Sequence, residues 1–548
     1  MKKDISGKYI ASPVFSLTTR RWPDNVVEES PRWCSVDLRD GNQSLPLPMS
    51  IEQKKKFFNM LLEIGFKEIE VGFPSASQIE FDFIRELVDN KMIPDDVTVQ
   101  VMVQSREHLI KRTFEAIKGV KNVIVHLYNS TSEVQRRIVF GKSKQEIIDI
   151  ALDGVKLIRK YADEFEGKLT LQYSPESFTS TEIEYALCIC NTVVEAWSPS
   201  SSREMIINLP STLETTMPNR FADRIEWMNE RLVKNKNIIL SVHTHNDRGT
   251  GVASAEAAVL AGAKRVEGTI LGNGERTGNL DILTMALNMT RDGIETGLDF
   301  SDSDKIVEMV EECTQIATHP RHPYVGELVY TAFSGSHQDA INKGLAYRKS
   351  NASKIWEVPY LPIDPADIGR SYEGIIQINS QSGKGGIAYT LSKEGYTLPK
   401  LYHPLVAKVI QKESEDVGAI VSPERIVEIF EKVFVNTASS ILYVNNYRKH
   451  KTDSTQIQLD ISVKGVKKQL QAEHPDGPLS AAVKALCEYI EKPCKILHYD
   501  EHMRTTTEGV EAVAYVTLVI ENKESFGVGR DRDIVTASLK AVISALNN

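Results

Sequence analysis

The sequence has few cysteines, no long apolar run and no excess of positive charge. It holds six cysteines in 548 residues, and only Cys188 and Cys190 are close together. That number and spacing do not suggest a disulfide framework, and the pair lies in a helix-like stretch that does not favour a metal site. No apolar run approaches the roughly 20 residues that a membrane-spanning helix needs. We therefore predict a protein with reduced cysteines and no membrane partner.

The net charge and the length of the chain further limit the kinds of protein that the sequence can represent. The chain carries 65 Lys and Arg against 74 Asp and Glu, a net charge of -9, which argues against general binding of nucleic acid. Residues 1–24 have charges and prolines but no long apolar segment, unlike a secretory signal, so we expect a cytoplasmic protein. A chain of this length exceeds one simple core and predicts two to four domains.

Short β-branched runs alternate with amphipathic helical patterns in the first half of the chain. The runs are residues 33–38, 68–73, 97–104, 122–128, 168–173, 205–209, 237–243 and 265–271. Eight strand–helix units in about 250 residues predict an α/β fold, the (β/α)8 TIM barrel. On pattern alone, a doubly wound open sheet is the main alternative.

Side chains that can bind metal ions, transfer protons or contact a substrate follow nearly every predicted strand, at the end where the active site of a barrel lies. They include Arg39, Asp40, His126, Glu176, Thr212, His243, His245, Glu275 and Asn279. Surface loops are polar in any protein, so the repetition at one rim, rather than any single residue, favours an active site.

His243 and His245 end the apolar strand that contains residues 238–240. Residues i and i+2 of a strand point the same way, so two imidazoles share one face. Such a pair is a workable half of a divalent metal site. Two ordinary histidines at a strand end are the alternative, and the polar residues at the other strand ends favour the metal.

Three motifs together resemble one family. They are Leu38-Arg39-Asp40-Gly41-x-Gln43, His243-x-His245-Asn246-Asp247 and Gly272-Asn273-Gly274-Glu275-Arg276-x-Gly278-Asn279. They are similar to those of the acyl-CoA-dependent Claisen-condensing synthases, which include isopropylmalate, homocitrate and citramalate synthases. The stretches Val71–Ser77 and Tyr173–Ser177 are most similar to the isopropylmalate branch. The resemblance runs from about Trp22 to the C-terminus.

The resemblance implies condensation of acetyl-CoA with a 2-oxo acid, followed by thioester hydrolysis. It also implies that Asp40, His243, His245 and Asn279 bind a divalent metal ion, which would polarise the ketone. Mg, Mn and Zn all suit these ligands, and the sequence does not choose between them.

The same resemblance assigns catalytic roles. Arg39 would hold the keto oxygen and stabilise an alkoxide, with a structural salt bridge as the alternative. Glu176, His337 and Tyr360 would form the set that moves a proton or positions a water. His337 and Tyr360 are expected to reach the site of the partner subunit in a homodimer with exchanged subdomains.

Binding roles follow in the same way. His126, Thr212 and Glu275 are expected to contact substrate, although His126 could equally be a satisfied strand-end histidine. Gly272, Asn273 and Gly274 would let the backbone approach acetyl-CoA closely. The loop Ser382–Gly386 could do the same, or it could be a hinge.

The alternation of strand and helix patterns stops near residue 327, and a different order of predicted strands and helices begins near residue 440. We predict a catalytic barrel over 1–326 with an N-terminal extension, helical linker subdomains over 327–439 and a regulatory domain over 440–548. Residues 478–486 align with residues 534–542, which indicates an internal repeat of two βββα-like units. Helix N-termini attract carboxylates, and the family resemblance implies leucine as the allosteric effector there.

Several alternatives stay open at this point. A sister synthase would use pyruvate or 2-oxoglutarate, and the latter would need a cation for its distal carboxylate. A sensor would bind leucine and keep an inactive barrel. A metal-dependent lyase would share the barrel and the two histidines but would not need the tail.

Overall fold

The computed structural model describes residues 15, 17–332, 335–352, 354–370, 372, 384–417, 422–506 and 509–548. The chain divides into two compact units. The first comprises Met1–Val329 with Pro365–Arg370, and the second comprises Tyr330–Asp364 with Ser371–Asn548. The predicted division at residues 326 and 439 stays a prediction.

Eight parallel strands close into a barrel in the first unit. They are β1 (Arg32–Ser35), β2 (Glu68–Gly72), β3 (Thr98–Gln104), β4 (Asn122–Ser130), β5 (Lys168–Glu176), β6 (Met205–Ser211), β7 (Ile238–Thr244) and β8 (Arg265–Gly268). Closure comes from β1, which pairs with β8 in the register Trp33 to Val266. The predicted TIM barrel is therefore confirmed, and the alternative of an open sheet is wrong.

Nine helices of the described chain belong to this unit. They are α1 (Ile51–Ile64), α2 (Gln78–Asp89), α3 (Glu107–Ala116), α4 (Lys144–Ala162), α5 (Ile183–Trp197), α6 (Pro218–Arg231), α7 (Gly251–Leu260), α8 (Ile282–Arg291) and α9 (Ser303–Thr314). Local sequence sets the ends of α1: Ser50 and Gln53 cap its N-terminus reciprocally, and Gly65 ends it at a φ of 107°. The described helices include none that is long and apolar enough to cross a membrane.

The inside of the barrel is polar, while the space between strands and helices is apolar. Along β5, Gln172 and Ser174 face inward, and Leu171 and Tyr173 pack outward against the helices. This alternation follows from the two-residue period of a strand. A polar interior places side chains that can bind ions and protons directly beneath the rim.

The first strand ends earlier than the sequence predicts. The apolar residues Val36 and Leu38 favoured a strand to residue 38, but Asp37–Gly41 form a wide helical turn. The carboxylate of Asp37 accepts hydrogen bonds from the Ser35 hydroxyl at 2.8 Å and from Ile270 N at 3.1 Å. These bonds hold the turn against the loop after β8 and bring Arg39 and Asp40 over the barrel.

In its described residues, the second unit begins with four helices and ends with two similar halves. The helices are α10 (Gly335–Asn351), α11 (Lys384–Lys393), α12 (His403–Val417) and α13 (Pro423–Phe434). The first half is β9 (Ile441–His450), β10 (Thr455–Val463), β11 (Val466–His474) and α14 (Pro478–Ile490); the second is β12 (Cys494–Thr506), β13 (Gly509–Ile520), β14 (Lys523–Asp531) and α15 (Ile534–Asn547). Each half has one antiparallel three-stranded sheet, which confirms the predicted pair of βββα units.

Cys487 and Cys494 are joined in a disulfide. The prediction of reduced cysteines is therefore wrong for this pair, although Cys34, Cys188, Cys190 and Cys313 are free. Cys487 lies in the last turn of α14, and Glu491 follows in a left-handed conformation with a φ of 54°. That reversal brings the start of β12 back beside the helix, which the seven-residue spacing alone did not reveal.

Candidate active site

Asp40, His243 and His245 meet at the C-terminal end of the barrel. Their potential ligand atoms all lie within 4.8 Å of one another. Nε2 of His243 is 3.3 Å from Nε2 of His245 and 3.3 Å from Oδ2 of Asp40. The geometry brings together three side chains that the sequence identified in two distant motifs.

Asn279, the fourth predicted ligand, completes this cluster. Its Nδ2 donates to Oδ2 of Asp40 at 3.0 Å, while its Oδ1 is buried and has no hydrogen-bond partner in the described chain. A buried carbonyl oxygen without a partner is costly unless a ligand satisfies it. Two imidazole nitrogens with carboxylate and amide oxygens suit Mg²⁺, Mn²⁺ or Zn²⁺, so the residues fit a divalent cation.

The pKa values of the two histidines are shifted in opposite directions. Burial works to lower the pKa of His243, but hydrogen bonds with Asp40 and Glu267 outweigh it and raise that pKa to about 9. Burial and the neighbouring charge of His243 lower the pKa of His245 to about 3. For Asp40, burial opposes ionisation, but Arg39 and the two histidines hold its pKa well below the usual range.

Arg39 lies between two carboxylates. Its Nε is 2.5 Å from Oε2 of Glu70, and its Nη1 donates to Oδ1 of Asp40. Burial acts to lower the pKa of Arg39, but these carboxylates raise it further, so the guanidinium stays charged. The salt bridge that was the structural alternative is therefore present, and it also fixes the guanidinium beside Asp40.

His126 is buried and has partners on both ring nitrogens. Nδ1 is 3.0 Å from Oε1 of Glu70, and Nε2 is 2.8 Å from the hydroxyl of Ser174. The ring is thus a satisfied histidine that also borders the cavity, but it lies in the middle of β4 and not at the strand end that the sequence suggested. A substrate role for His126 stays a prediction.

A cavity of about 190 Å³ opens above the cluster. It is lined by Arg39, Asp40, Gln43, Met102, His126, Tyr128, Ser174, Glu176, Asn208, Pro210, Thr212, His243, His245, Glu275 and Arg276. Glu176 accepts from the Ser130 hydroxyl, Thr212 accepts from Ser177 N at 2.9 Å, and Glu275 accepts from Gln43 at 3.4 Å. The structure thus brings these three predicted residues to the same cavity.

Gly272, Asn273 and Gly274 lie outside that lining. They border a second cavity of about 260 Å³, whose other wall includes Thr314 and His322. A Cβ on Gly274 would lie 2.8 Å from Asn279 N, so the loop's own packing requires a residue without a side chain there. Of the second predicted loop, residues 382 and 383 lie outside the described residues.

His337 and Tyr360 belong to the second unit. Their rings stack with centroids 3.9 Å apart, and both side chains are exposed. Tyr360 has a left-handed backbone with a φ of 64°. Their predicted catalytic roles stay predictions.

Sequence reasoning missed two buried acids beneath the site. Glu70 on β2 holds Arg39 and His126, and Glu267 on β8 holds His243 at 2.9 Å. Each has a neighbour on both sides that is apolar or a glycine, within the short strands Glu68–Gly72 and Arg265–Gly268. A charge between such neighbours in a buried strand was a usable signal, because a buried carboxylate needs a partner.

Family models match nearly the whole chain. The HMGL-like model matches residues 30–310, the alpha-isopropylmalate synthase post-catalytic domain-like model matches 327–392, and the LeuA allosteric (dimerisation) domain model matches 420–548. The barrel and its rim cluster are therefore those of an HMGL-like enzyme.

Full-length relatives identify the family within that class. A 2-isopropylmalate synthase from Clostridium acetobutylicum is 51% identical over 99% of both chains, and one from Pseudomonas entomophila is 47% identical over 100% of this chain and 98% of its own. The chain belongs to the 2-isopropylmalate synthase family, a family of acyltransferases. Among solved structures, a hydroxymethylglutaryl-CoA lyase from Pseudomonas aeruginosa covers 54% of this chain and 96% of its own, at 18% identity and a TM-score of 0.45.

Proposed function

We propose that the protein condenses acetyl-CoA with 3-methyl-2-oxobutanoate and water to give 2-isopropylmalate and CoA. The observation that carries this proposal is the cavity over Asp40, His243 and His245, together with full-length relatives that bear the synthase name. The reaction needs a polarised ketone, removal of a proton from the acetyl methyl group and stabilisation of an alkoxide. A divalent ion held by these residues and Asn279 supplies the polarisation when bound.

The side chains around the cluster supply the other two needs. Arg39, fixed by Glu70 and permanently charged, lies where it can stabilise negative charge that develops on the keto oxygen. Glu176 borders the same cavity and is our candidate for taking the methyl proton. The stacked pair His337 and Tyr360 would complete this set from a partner subunit.

The lining of the cavity favours an oxo acid with an apolar side chain. Met102, Tyr128 and Pro210 contribute part of its wall. Its two arginines are both engaged, because Arg39 pairs with Glu70 and Asp40, and Arg276 pairs with Asp247 at 2.6 Å. A second carboxylate, as in 2-oxoglutarate, would have to compete with these ion pairs or remain buried without a partner.

We also propose that leucine inhibits the enzyme through the C-terminal halves. The LeuA allosteric (dimerisation) domain model over 420–548 supports this proposal. The helix α14 begins at Pro478, and its N-cap residue Gly477 supplies no side-chain cap, so the backbone N–H groups that follow the proline in the first turn are suited to an amino-acid carboxylate. The same match supports a homodimer.

The test is release of CoA thiol from acetyl-CoA with each of three oxo acids, with and without leucine. We expect clear preference for 3-methyl-2-oxobutanoate over pyruvate and 2-oxoglutarate, dependence on a divalent ion, and suppression by leucine. Preference for another oxo acid would assign the enzyme to a sister reaction. No release with any oxo acid, in protein shown to bind metal, would contradict the proposed reaction and favour a sensor.

A further inference from the structure

Glu267 is fully buried, and five side chains around the barrel lie within hydrogen-bond distance of its carboxylate. Its Oε1 accepts from Arg265 at 2.8 Å, Gln172 at 2.7 Å and Gln100 at 3.0 Å. Its Oε2 lies 2.9 Å from Nδ1 of His243 and accepts from Asn208 at 3.1 Å. The carboxylate therefore has donors on both oxygens, and one of them is a predicted metal ligand.

Two neighbouring amide side chains are oriented toward this carboxylate. Gln172 and Asn208 both direct their NH₂ groups to Glu267, and their carbonyl oxygens are buried without a partner in the described chain. Amides in a neutral pocket would turn to satisfy both ends. Their orientation indicates a site built around one acceptor that carries a full charge.

The contact with His243 fixes which ring nitrogen can bind a metal. A carboxylate accepts only, so it keeps the imidazole proton on Nδ1. Once the second ring proton has left, the lone pair lies on Nε2, the atom that faces His245 and Asp40 at 3.3 Å each. Orientation of a ligating histidine by an acceptor on its other nitrogen is a general feature of metal sites.

We propose that Glu267 is a positioning residue of the metal centre, which selects the His243 tautomer that presents Nε2 to the cation. This inference rests on the metal site of the proposed function. It adds a residue on β8 that does not line the cavity and acts through His243. Arg265 compensates its charge from beneath, and Arg265 in turn pairs with Glu68.

Glu267→Gln tests this role directly. The carboxylate accepts hydrogen bonds on both oxygens, whereas an amide has one accepting oxygen and one donating NH₂ group. The three donors Arg265, Gln172 and Gln100 attract the amide oxygen, which leaves the NH₂ group facing His243. Nδ1 must then accept, so the ring proton moves to Nε2 and blocks the metal. We expect Mn²⁺ to bind about 10- to 100-fold more weakly.

The matched control is Glu68→Gln. It removes a carboxylate from the other side of Arg265 and leaves the contact between Glu267 and His243 intact. We expect both variants to lower the melting temperature, but only Glu267→Gln to weaken Mn²⁺ binding in calorimetry and to change the visible spectrum of the Co²⁺-loaded protein.

The outcomes separate the two proposals. Wild-type protein that binds no Mn²⁺ would overturn the metal site itself, and this inference with it. Wild-type binding together with equal Mn²⁺ affinity in Glu267→Gln and Glu68→Gln would overturn only the role of Glu267, since both changes would then be structural.

Discussion

Arg39 and Glu70 form a buried ion pair, with Nε 2.5 Å from Oε2, directly beneath the cavity. The second arm of the same guanidinium reaches Asp40. A planar, permanently charged group can hold both carboxylates and still face the cavity, whereas a lysine ammonium cannot match that geometry.

We therefore expect Arg39→Lys to lower kcat by about 100-fold or more, as for the loss of one donor to a developing oxyanion. Steady-state release of CoA measures the change, and a melting curve shows whether the barrel is intact. A kcat within threefold of wild type in folded protein would contradict the role of Arg39.

Metal binding should depend on pH through His243. Its pKa of about 9 in the metal-free protein means that the ring is protonated at pH 7, and the cation must displace that proton. We expect release of about one proton per ion and an affinity that rises with pH up to about 9. Calorimetry in buffers of different ionisation enthalpy counts the protons, and release of none would contradict this assignment.

The same raised pKa affects the stability of the metal-free protein. A group whose pKa is higher in the folded state stabilises it fully below the unfolded value of 6.5. That contribution is lost as the pH rises through about 9. Denaturant unfolding of metal-free protein should show the loss across this window, and His243→Gln should lack it.

The loop after β8 should not tolerate a side chain at Gly278. Its φ is 98°, and a Cβ there would lie 2.0 Å from the carbonyl oxygen of Gly272. We expect Gly278→Ala to displace Asn279 and reduce CoA release by more than tenfold. Gly293, with a φ of 83° and no atom within 4 Å of a Cβ, is the control.

Gly293→Ala carries the same kind of backbone strain, about 1 kcal/mol, without a clash. It should lose a little stability and keep its activity. Equal activity in the two alanine variants would show that the clash at Gly278 is relieved without consequence for the site.

The disulfide predicts a simple thiol count. Six cysteines with one disulfide should give four thiols in denaturant before reduction and six afterwards. Loss of the bridge by Cys494→Ser should cost about 2 kcal/mol, since the closed loop is short. Thiol titration and unfolding curves test these two expectations. Six thiols in denaturant before any reduction would contradict the pairing.

Exchange of subdomains predicts complementation between inactive variants. His337→Ala and His243→Ala should each be inactive as homodimers. Co-expressed, half of the dimers are mixed and each has one intact site, so about a quarter of wild-type activity should return. Mixed dimers that purify together but release no CoA would contradict the proposed exchange.

Much of the barrel was evident from residue order alone. Apolar residues recur at every second position along a strand with an apolar outer face, and at about every 3.6 residues along a helix with one apolar face. The alternation of these two patterns along the chain predicts eight strand–helix units. The position of Asp40, His243 and His245 at one rim then follows from the rule that parallel strands of a barrel end at one face. Sequence therefore determined the fold and the residue types of the candidate metal site.

Contacts between distant strands were decided only by the tertiary structure. Glu267 and Glu70 have partners that depend on barrel register, which brings β8 beside β7 and β2 beside β3. The early end of β1 and the bond between Cys487 and Cys494 likewise depend on neighbours far along the chain or on a backbone reversal. Local periodicity carries no information about such neighbours, because burial and hydrogen bonding of these residues exist only once the strands have paired.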